Sequence, residues 1–318
     1  MQLKKYLWPV VGLLAVLFSA WLLYHELRGL SLDELWDSLS AISPMHWLLC
    51  VAATLAAYAA LAGYDRLALK HLRRDNIGWL YLTITSFTTY ALSHNIGASV
   101  FSGSVVRYRA YTAKGVSASE VGVLVAFCSF TFVLGIMILG GLTFLIEPLV
   151  VERFVDMLPM EEASAFTGGL LLLIVAVYLA GSLLRLRSVH IGKVEISYPR
   201  PSIAIQQMLI GPLEIVGAAA IIYFALPEVG NPGFLVVLGI FVISFSLALL
   251  SHAPGGLGVL ELAFITGLSE MNQADVLAAL LVFRLFYLII PLIIALFVVL
   301  GFERSQLYST SSTTTPSA

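Results

Sequence analysis

Four charged side chains lie inside or directly beside long apolar segments of this sequence. Glu214 lies about half-way along one segment, and Arg284 lies roughly two turns into another. Arg107 and Glu261 each follow a glycine-containing interruption of an apolar segment. A charged side chain at the centre of a bilayer costs at least about 2.5–3.5 kcal/mol on insertion scales, so each needs a compensating interaction. Because guanidinium groups bind phosphates and carboxylates bind cations, these residues are candidates for binding a charged ligand.

A structural role is the alternative for the same residues. Two acids and two bases at membrane depth can pair with each other, which lowers the cost of burying them. For Glu214 with Arg284, a register-fixing ion pair and ligand binding both stay open. For Arg107 and Glu261 binding is favoured, because each follows a helix break, where backbone groups become available to a ligand. Glu261 also falls in the first turn of its predicted helix, so capping is its alternative role.

Other polar residues near the two breaks complete the candidate set. His94 and His252 precede the breaks, and each is either a proton carrier or a neutral histidine bonded to freed backbone carbonyls. Arg109 is two positions from Arg107 and should therefore face a different side of the helical limb. Two tyrosines are also candidate binding residues, with packing as the alternative for the second: Tyr111 and Tyr287.

The composition determines which kind of fold positions these residues. Hydrophobic residues make up 59% of the 318-residue chain and charged residues only 11%, with a mean hydropathy of +0.95. Soluble domains carry roughly 25% charged residues. The net charge of −2 argues against nucleic-acid binding, which needs a basic surface. The sequence therefore predicts an all-α polytopic membrane protein.

The apolar segments and the charged loops predict its topology. Six segments are long enough for full spans, which need about 20 residues: 6–24, 45–63, 118–146, 164–184, 203–225 and 276–301. Lysines and arginines gather before the first span and in the loops near 65–75 and 185–200, so both termini are expected in the cytoplasm. We expect one transmembrane domain over 1–304 and a disordered polar tail over 305–318.

Two further segments, 79–113 and 233–270, are predicted to be re-entrant helical hairpins. The charge rule requires the chain between 79 and 117 to leave the cytoplasmic face and return to it. The return limb SVFSGSVVRYRAY is short and polar, which favours a hairpin over the alternative of two full, tilted spans. The residues expected to break the helices are glycines and one proline: Gly97, Gly103, Pro254, Gly255, Gly256 and Gly258.

The two hairpins look like copies of one unit. The tripeptide Leu-Ser-His precedes both breaks, and the predicted topology makes the hairpins enter from opposite faces. Broken helices at matching places in two inverted halves are typical of a transporter's substrate site. The alternative is chance, since the chain is rich in leucine and serine.

The segments around the breaks resemble a known family. YALSHNIGASVFSGSVVRYRAYTAKGVSASEVGVLVAFCSFTFVLG is similar to the first signature of the lysylphosphatidylglycerol synthetase/flippase family, the multiple-peptide-resistance factors. SHAPGGLGVLE followed by LLVFRLFYLIIPL is similar to the second. The resemblance implies a membrane domain that moves aminoacylated phosphatidylglycerol between leaflets. This sequence ends after the flippase-like part, so synthetase activity is expected to be absent and the lipid is left open.

The residues and the resemblance together predict a bacterial inner-membrane lipid flippase or scramblase that is not an enzyme and needs no cofactor. Arg107 would bind the phosphate of an anionic or aminoacylated phospholipid, and Glu261 or Glu214 would bind a head-group ammonium. Membrane phospholipids are the expected partners, with a separate lipid synthase and a second copy of the chain also considered. The alternatives are an ion-coupled small-solute secondary transporter and a non-transporting scaffold for a lipid synthase.

Overall fold

The computed structural model describes residues 32–96, 99–154, 161–186, 189–191, 194–196, 198–251 and 254–312. These residues are helical apart from turns and one short β-hairpin. The helices are α1 Leu32–Ala41, α2 Pro44–His71, α3 Trp79–Ile96, α4 Ser99–Thr112, α5 Ala118–Ile146, α6 Glu161–Leu183, α7 Pro201–Ala225, α8 Phe234–Ser251, α9 Val259–Gly267, α10 Gln273–Phe283 and α11 Ile290–Ser312. A π-helical turn, Arg284–Ile289, joins α10 to α11 without a break in the helical rod.

The β-hairpin lies in the basic loop between α6 and α7, where the sequence predicted no strand. Strands β1 (Val189–Ile191) and β2 (Val194–Ile196) pair antiparallel, with Val189 opposite Ile196. Two such short strands cannot bury a face of their own, so the helices alone make up the packed core.

Six helical segments are long and apolar enough to cross a membrane: Pro44–His71, Ala118–Ile146, Glu162–Leu183, Pro201–Ala225, Phe234–Ser251 and Gln273–Gly301. Five of them correspond to predicted spans. The sixth, α8, was predicted to be the first limb of a hairpin. The predicted span 6–24 lies outside the described residues. The chain is an integral membrane protein of helical class, as its composition predicts.

Two helices extend beyond their predicted ends. The second predicted span was placed at 45–63, but α2 continues to His71, because the buried Leu67, Ala68 and Leu69 keep its apolar face inside the protein. Helix α11 runs to Ser312, into the segment assigned to the polar tail. The domain boundary at 304 stays a prediction.

Local sequence explains where the long helices begin. The Ser43 hydroxyl accepts the backbone N–H of His46, and Pro44 occupies the first turn of α2. At α5, the hydroxyl of Ser117 accepts the N–H of Glu120 at 3.3 Å while the Glu120 carboxylate accepts the N–H of Ser117 at 2.8 Å. This reciprocal arrangement is a capping box, which satisfies two otherwise unpaired donors.

Helices α3 and α4 pack as an antiparallel pair. At one end, the Tyr81 hydroxyl donates to the carbonyl of Ala110 at 2.8 Å. At the other end, Gly103 lies so close to α3 that a Cβ atom would collide with Ser93 and Thr89. Gly103 lies inside α4 and serves this close packing; it is not part of the turn, where the sequence had placed it. The predicted breaker Gly97 lies outside the described residues.

The second break contains a tight turn at Pro254–Gly256. Gly255, Gly256 and Gly258 have φ angles of 60°, 65° and 78°, a left-handed conformation that other residues rarely adopt. Helix α9 starts one residue later and returns along α8, so that Gly267 at its end lies against Ile240 near the start of α8. The positive φ angles of these glycines therefore allow the chain to reverse its direction here.

The two breaks meet in the tertiary structure. Helix α3 packs against the Pro254–Gly256 turn, against the π-helical turn and against α11. The pair α2 and α7 forms the largest helix contact, with Gly217 against the backbone of Ala57. Small residues at such crossings allow the close approach on which membrane helix packing depends. The polar residues of both breaks are thereby gathered beside α2 and α7.

Candidate functional site

Arg107 is held in a buried polar cluster on α4. Its Nη2 donates to Asp65 Oδ1 at 2.6 Å and its Nε donates to Asp65 Oδ2 at 3.3 Å. The Tyr111 hydroxyl also donates to Asp65 Oδ2, at 2.6 Å, and the Cys128 thiol donates to Oδ1 at 3.4 Å. The guanidinium lies 4.7 Å from the ring centre of Tyr90, a cation–π contact. Asp65 is 0% exposed and Arg107 5%, so this is a fully internal ion pair.

Asp65 is the functional candidate that the sequence analysis missed. It was assigned to the cytoplasmic loop, because Arg66 and the following basic residues look like a loop signature. The available signal was the apolar periodicity that continues on both sides of it, through Leu61 and Leu69, which indicates a helix with a buried face. The partner of Arg107 is therefore a carboxylate of the protein itself in this structure.

Arg109 lies on the other side of α4. Its side chain is exposed, whereas Arg107 is buried, as the spacing of two positions predicts. Tyr111, one turn after Arg107, is 0% exposed and belongs to the buried cluster through Asp65. The structure thus brings Tyr111 together with Arg107 and separates Arg109 from both.

The second internal ion pair joins α9 to the π-helical turn. Arg284 Nε donates to Glu261 Oε1 at 2.7 Å, and Arg284 Nη1 donates to the carbonyl of Gly255 at 3.0 Å. The other carboxylate oxygen of Glu261 accepts the backbone N–H of Gly258 at 2.7 Å. Glu261 therefore caps its own helix and pairs with Arg284 at once. Of the two roles left open for Glu214 with Arg284, the ion pair is not formed, because the guanidinium binds Glu261 and the carbonyl of Gly255.

Glu214 occupies the centre of α7 with 1% of its surface exposed. Its Oε1 accepts a hydrogen bond from the Tyr287 hydroxyl. Its Oε2 has no hydrogen-bond partner among the described residues. Among the buried acids Asp65, Glu214 and Glu261, it is the one that no described arginine contacts.

The π-helical turn offers backbone carbonyls to neighbouring helices. Pro291 has no N–H to donate to the carbonyl of Tyr287, four residues earlier. The Tyr58 hydroxyl of α2 donates to that carbonyl at 3.0 Å. Asn95, at the end of α3, donates to the carbonyl of Leu288 at 3.1 Å. A π turn inside an α-helix is frequently a functional feature, and this one connects both helix breaks to α2.

His94 stacks on the ring of Tyr287, with centroids 5.1 Å apart and an angle of 17°. Phe283 stacks on the same ring, with centroids 5.1 Å apart. Within the described ranges, Nδ1 of His94 has no hydrogen-bond partner, so the expected bond to a freed carbonyl is not seen at that atom. The corresponding His252 lies outside the described residues.

A third ion pair lies at the edge of the bundle. Arg74, in the loop after α2, donates from Nε and Nη2 to the two oxygens of Glu120, each at 2.9 Å. These bonds raise the pKa of the Arg74 guanidinium above its usual value. Both side chains are partly exposed, at 37% and 24%, so solvent screens this pair in a way that it cannot screen the two internal pairs.

The site holds two ion pairs, Arg107 with Asp65 and Glu261 with Arg284, and the buried acid Glu214. In the part of the chain that the structure describes, no group of three histidine, cysteine, aspartate or glutamate residues could hold a metal ion.

Comparison with known proteins finds matches along nearly the whole chain. Residues 11–295 match the family described as "Lysylphosphatidylglycerol synthase TM region". A Synechocystis protein, slr0712, is 33% identical over 248 residues, covering 76% of this chain and 74% of the relative. The inner membrane protein YbhN of Escherichia coli is 29% identical over 270 residues, covering 83% of this chain and 82% of the relative.

Longer relatives match with one part of their length. Phosphatidylglycerol lysyltransferase of Staphylococcus haemolyticus is 26% identical over 299 residues, which are 93% of this chain and 34% of that protein. The chain thus corresponds to about a third of these enzymes.

Proposed function

Since the chain belongs to the lysylphosphatidylglycerol synthase TM region family, we propose that it translocates an anionic or aminoacylated phospholipid between the leaflets of a bacterial inner membrane. Two relatives support this proposal by their names. One is an inner membrane protein, and the other is an enzyme that acts on phosphatidylglycerol. A role as a lipid carrier, without catalysis by this chain, is consistent with both.

One observation carries the proposal: the second limb of each broken helix pair carries a charged residue held in an internal ion pair, Arg107 with Asp65 and Glu261 with Arg284. A pair of buried charges is costly unless its partners are well placed, and a hydrophobic pair of similar volume would often be as stable. Maintaining two such pairs in a membrane protein therefore suggests function. A head-group phosphate would bind Arg107 in the bidentate manner in which Asp65 now binds it, and a head-group ammonium would bind Glu261.

The surface of α4 favours a lipid over a soluble ligand. Val105 and Tyr108, which flank Arg107, are 60% and 49% exposed. Helix α4 thus has an exposed apolar face, and its other face holds a buried arginine. With this arrangement the acyl chains can stay in the bilayer while the head group enters the protein. A soluble solute would gain nothing from such a face.

We extend the proposal to the topology. Helix α4 has 14 residues and α9 has nine, which correspond to lengths of about 21 Å and 14 Å at 1.5 Å per residue. Both are shorter than the hydrocarbon core of about 30 Å. We therefore place α3–α4 and α8–α9 as re-entrant hairpins of an inverted repeat, with both termini in the cytoplasm. In each hairpin the second helix carries a charged residue whose partner lies outside the hairpin: Arg107 on α4 pairs with Asp65, and Glu261 on α9 pairs with Arg284.

A transport assay tests the proposal. Purified protein in proteoliposomes should move a fluorescent phosphatidylglycerol or its lysylated form between leaflets. Arg107→Ala should abolish this movement, Arg107→Lys should retain only part of it because an ammonium lacks the planar fork, and Arg109→Ala should be milder. Each variant must elute as a folded, monodisperse protein for the comparison to count.

Other outcomes would support the alternatives. Binding of a soluble anion without movement of any lipid would favour a small-solute transporter. If deletion of the whole protein changes a cellular phenotype and Arg107→Ala does not, the protein is better explained as a scaffold for a separate lipid synthase. Native mass spectrometry of the detergent-solubilised protein would identify co-purifying lipids and would show whether the chain forms a dimer.

A further inference from the structure

Glu214 is a buried acid that the head-group site does not use. It lies in the middle of α7, a helix long and apolar enough to span the membrane, and 1% of its surface is exposed. The Tyr287 hydroxyl donates to Oε1, and Oε2 has no partner within the ranges described above. An acid in this position must either hold a proton or find a positive charge.

Among the described residues, three neutral tyrosines interact electrostatically with Glu214. Tyr58 and Tyr64 come from α2, and Tyr287 comes from the π-helical turn. Two cysteine thiols on the helices packed against α7 donate elsewhere, Cys50 to the carbonyl of Ile221 and Cys128 to Asp65. No arginine or lysine of the described segments contacts the carboxyl group.

The charged residues of the helices packed against α7 are engaged or lie near helix ends. Asp65 of α2 is paired with Arg107, and Arg284 of the π-helical turn is paired with Glu261. Helix α8 has no ionisable residue. The remaining charged residues on α2, α5, α6 and α10 lie in or near terminal turns: Arg66, Lys70, Glu120, Glu161, Glu162 and Asp275.

From this geometry we propose that Glu214 is the proton-binding site of the transporter. A carboxylate without a countercharge is strongly disfavoured in an apolar interior, whereas the protonated acid is neutral and can be buried. When water reaches Oε2, the acid gives its proton to that water, leaving a carboxylate and a hydronium ion. The reverse transfer restores the acid, so one proton crosses for each cycle in which Oε2 takes it from water on one side of the membrane and gives it to water on the other.

The position of Tyr287 connects this site to the head-group site. Tyr287 donates to Glu214 and lies one turn after Arg284, the residue that pairs with Glu261. Its backbone carbonyl is held by Tyr58, and its ring is stacked between His94 and Phe283. A change in the charge of Glu214 therefore acts on the same helical turn that orients the second ion pair. This coupling role rests on the proposed lipid transport; the proton site itself does not.

Infrared difference spectroscopy of the purified protein tests the proton site without any transport. Wild-type protein at neutral pH should show the carbonyl stretch of a buried protonated carboxyl group, and Glu214→Gln should lose that band. Glu261→Gln is the matched control, because Glu261 is an ionised partner of Arg284 and its removal should leave the band in place. Tyr287→Phe should move the band to higher frequency, because the carbonyl loses a hydrogen bond.

The outcomes are separable. Absence of the band in wild-type protein, or its presence in a folded Glu214→Gln variant, would overturn the proton site. A carboxylate band that shifts on addition of Na⁺ would also overturn it, in favour of a metal cation. If Glu214→Gln does not fold, the Tyr287→Phe shift decides the assignment.

Proteoliposomes then test the coupling. An imposed pH gradient should change the rate of phosphatidylglycerol movement in wild-type protein, and that response should be lost in Glu214→Gln. A wild-type rate that ignores the gradient overturns the coupling. If wild-type protein moves no lipid at all, the proposed function and the coupling fail together, and the infrared result still decides whether Glu214 holds a proton.

Discussion

Replacing Asp65 with asparagine should destabilise the protein by about 3–5 kcal/mol, the usual cost of stranding one charge of a buried pair. The substitution keeps the size of the side chain but removes the countercharge of Arg107, which is only 5% exposed. The contact with the Tyr90 ring remains. A cation–π contact of this kind stabilises by about 0.5–2 kcal/mol, so it offsets only part of the loss.

A second substitution separates the charge from the shape of the site. Arg107→Met removes the guanidinium and keeps a long, flexible apolar side chain. Alone it leaves Asp65 without its countercharge beside Tyr111, and we again expect a loss of about 3–5 kcal/mol. The double variant, Asp65→Asn with Arg107→Met, leaves no buried charge without a partner. Its loss of stability should therefore be smaller than that of either single variant.

The assay is denaturant unfolding in mixed micelles, followed by tryptophan fluorescence, for wild-type protein, both single variants and the double variant. Arg74→Met is the control, since its ion pair with Glu120 is partly exposed and its loss should change stability little. If the two single losses simply add in the double variant, Asp65 and Arg107 are not coupled, and the assignment of a buried ion pair is refuted.

Three further predictions follow from the packing and the topology. Gly135→Ala should destabilise the protein, because a Cβ there would overlap the backbone of α7, whereas Gly122→Ala on the same helix meets open space and should be neutral or stabilising by up to about 1 kcal/mol in thermal unfolding. Cysteines introduced at Lys114 and at Arg200 should both react with a membrane-impermeant maleimide from the cytoplasmic side. The background reaction should be small, because the two native cysteines are buried. Labelling of position 114 from outside would rule out the first re-entrant hairpin. Glu261→Gln should lower stability by up to about 3 kcal/mol and abolish lipid movement, because its partly buried partner Arg284 loses its countercharge. Wild-type transport rates in proteoliposomes would exclude Glu261 from the mechanism.

The membrane class and the second helix break follow from the sequence by itself. Both depend on local chemistry: apolar runs of about 20 residues must leave water, and the Pro254 to Gly258 segment cannot continue a helix. Arg107 and Glu261 could be selected as candidates for the same reason, because a charge next to a break in an apolar segment is visible in the sequence. The family resemblance drawn from these segments was confirmed over residues 11–295.

The partners of those charges were decided only by the tertiary structure. Asp65 and Arg107 are 42 positions apart, and the choice of Glu261 over Glu214 as the partner of Arg284 depends on the direction in which each helix turns its side chains. Those directions follow from how α2, α4, α7 and the π-helical turn pack against one another, and close contacts such as Gly135 against α7 set that packing. Burial and pairing are properties of the assembled helices. The sequence could therefore show which residues are charged at membrane depth. Only the fold shows that Glu214 is left without a countercharge among the described residues.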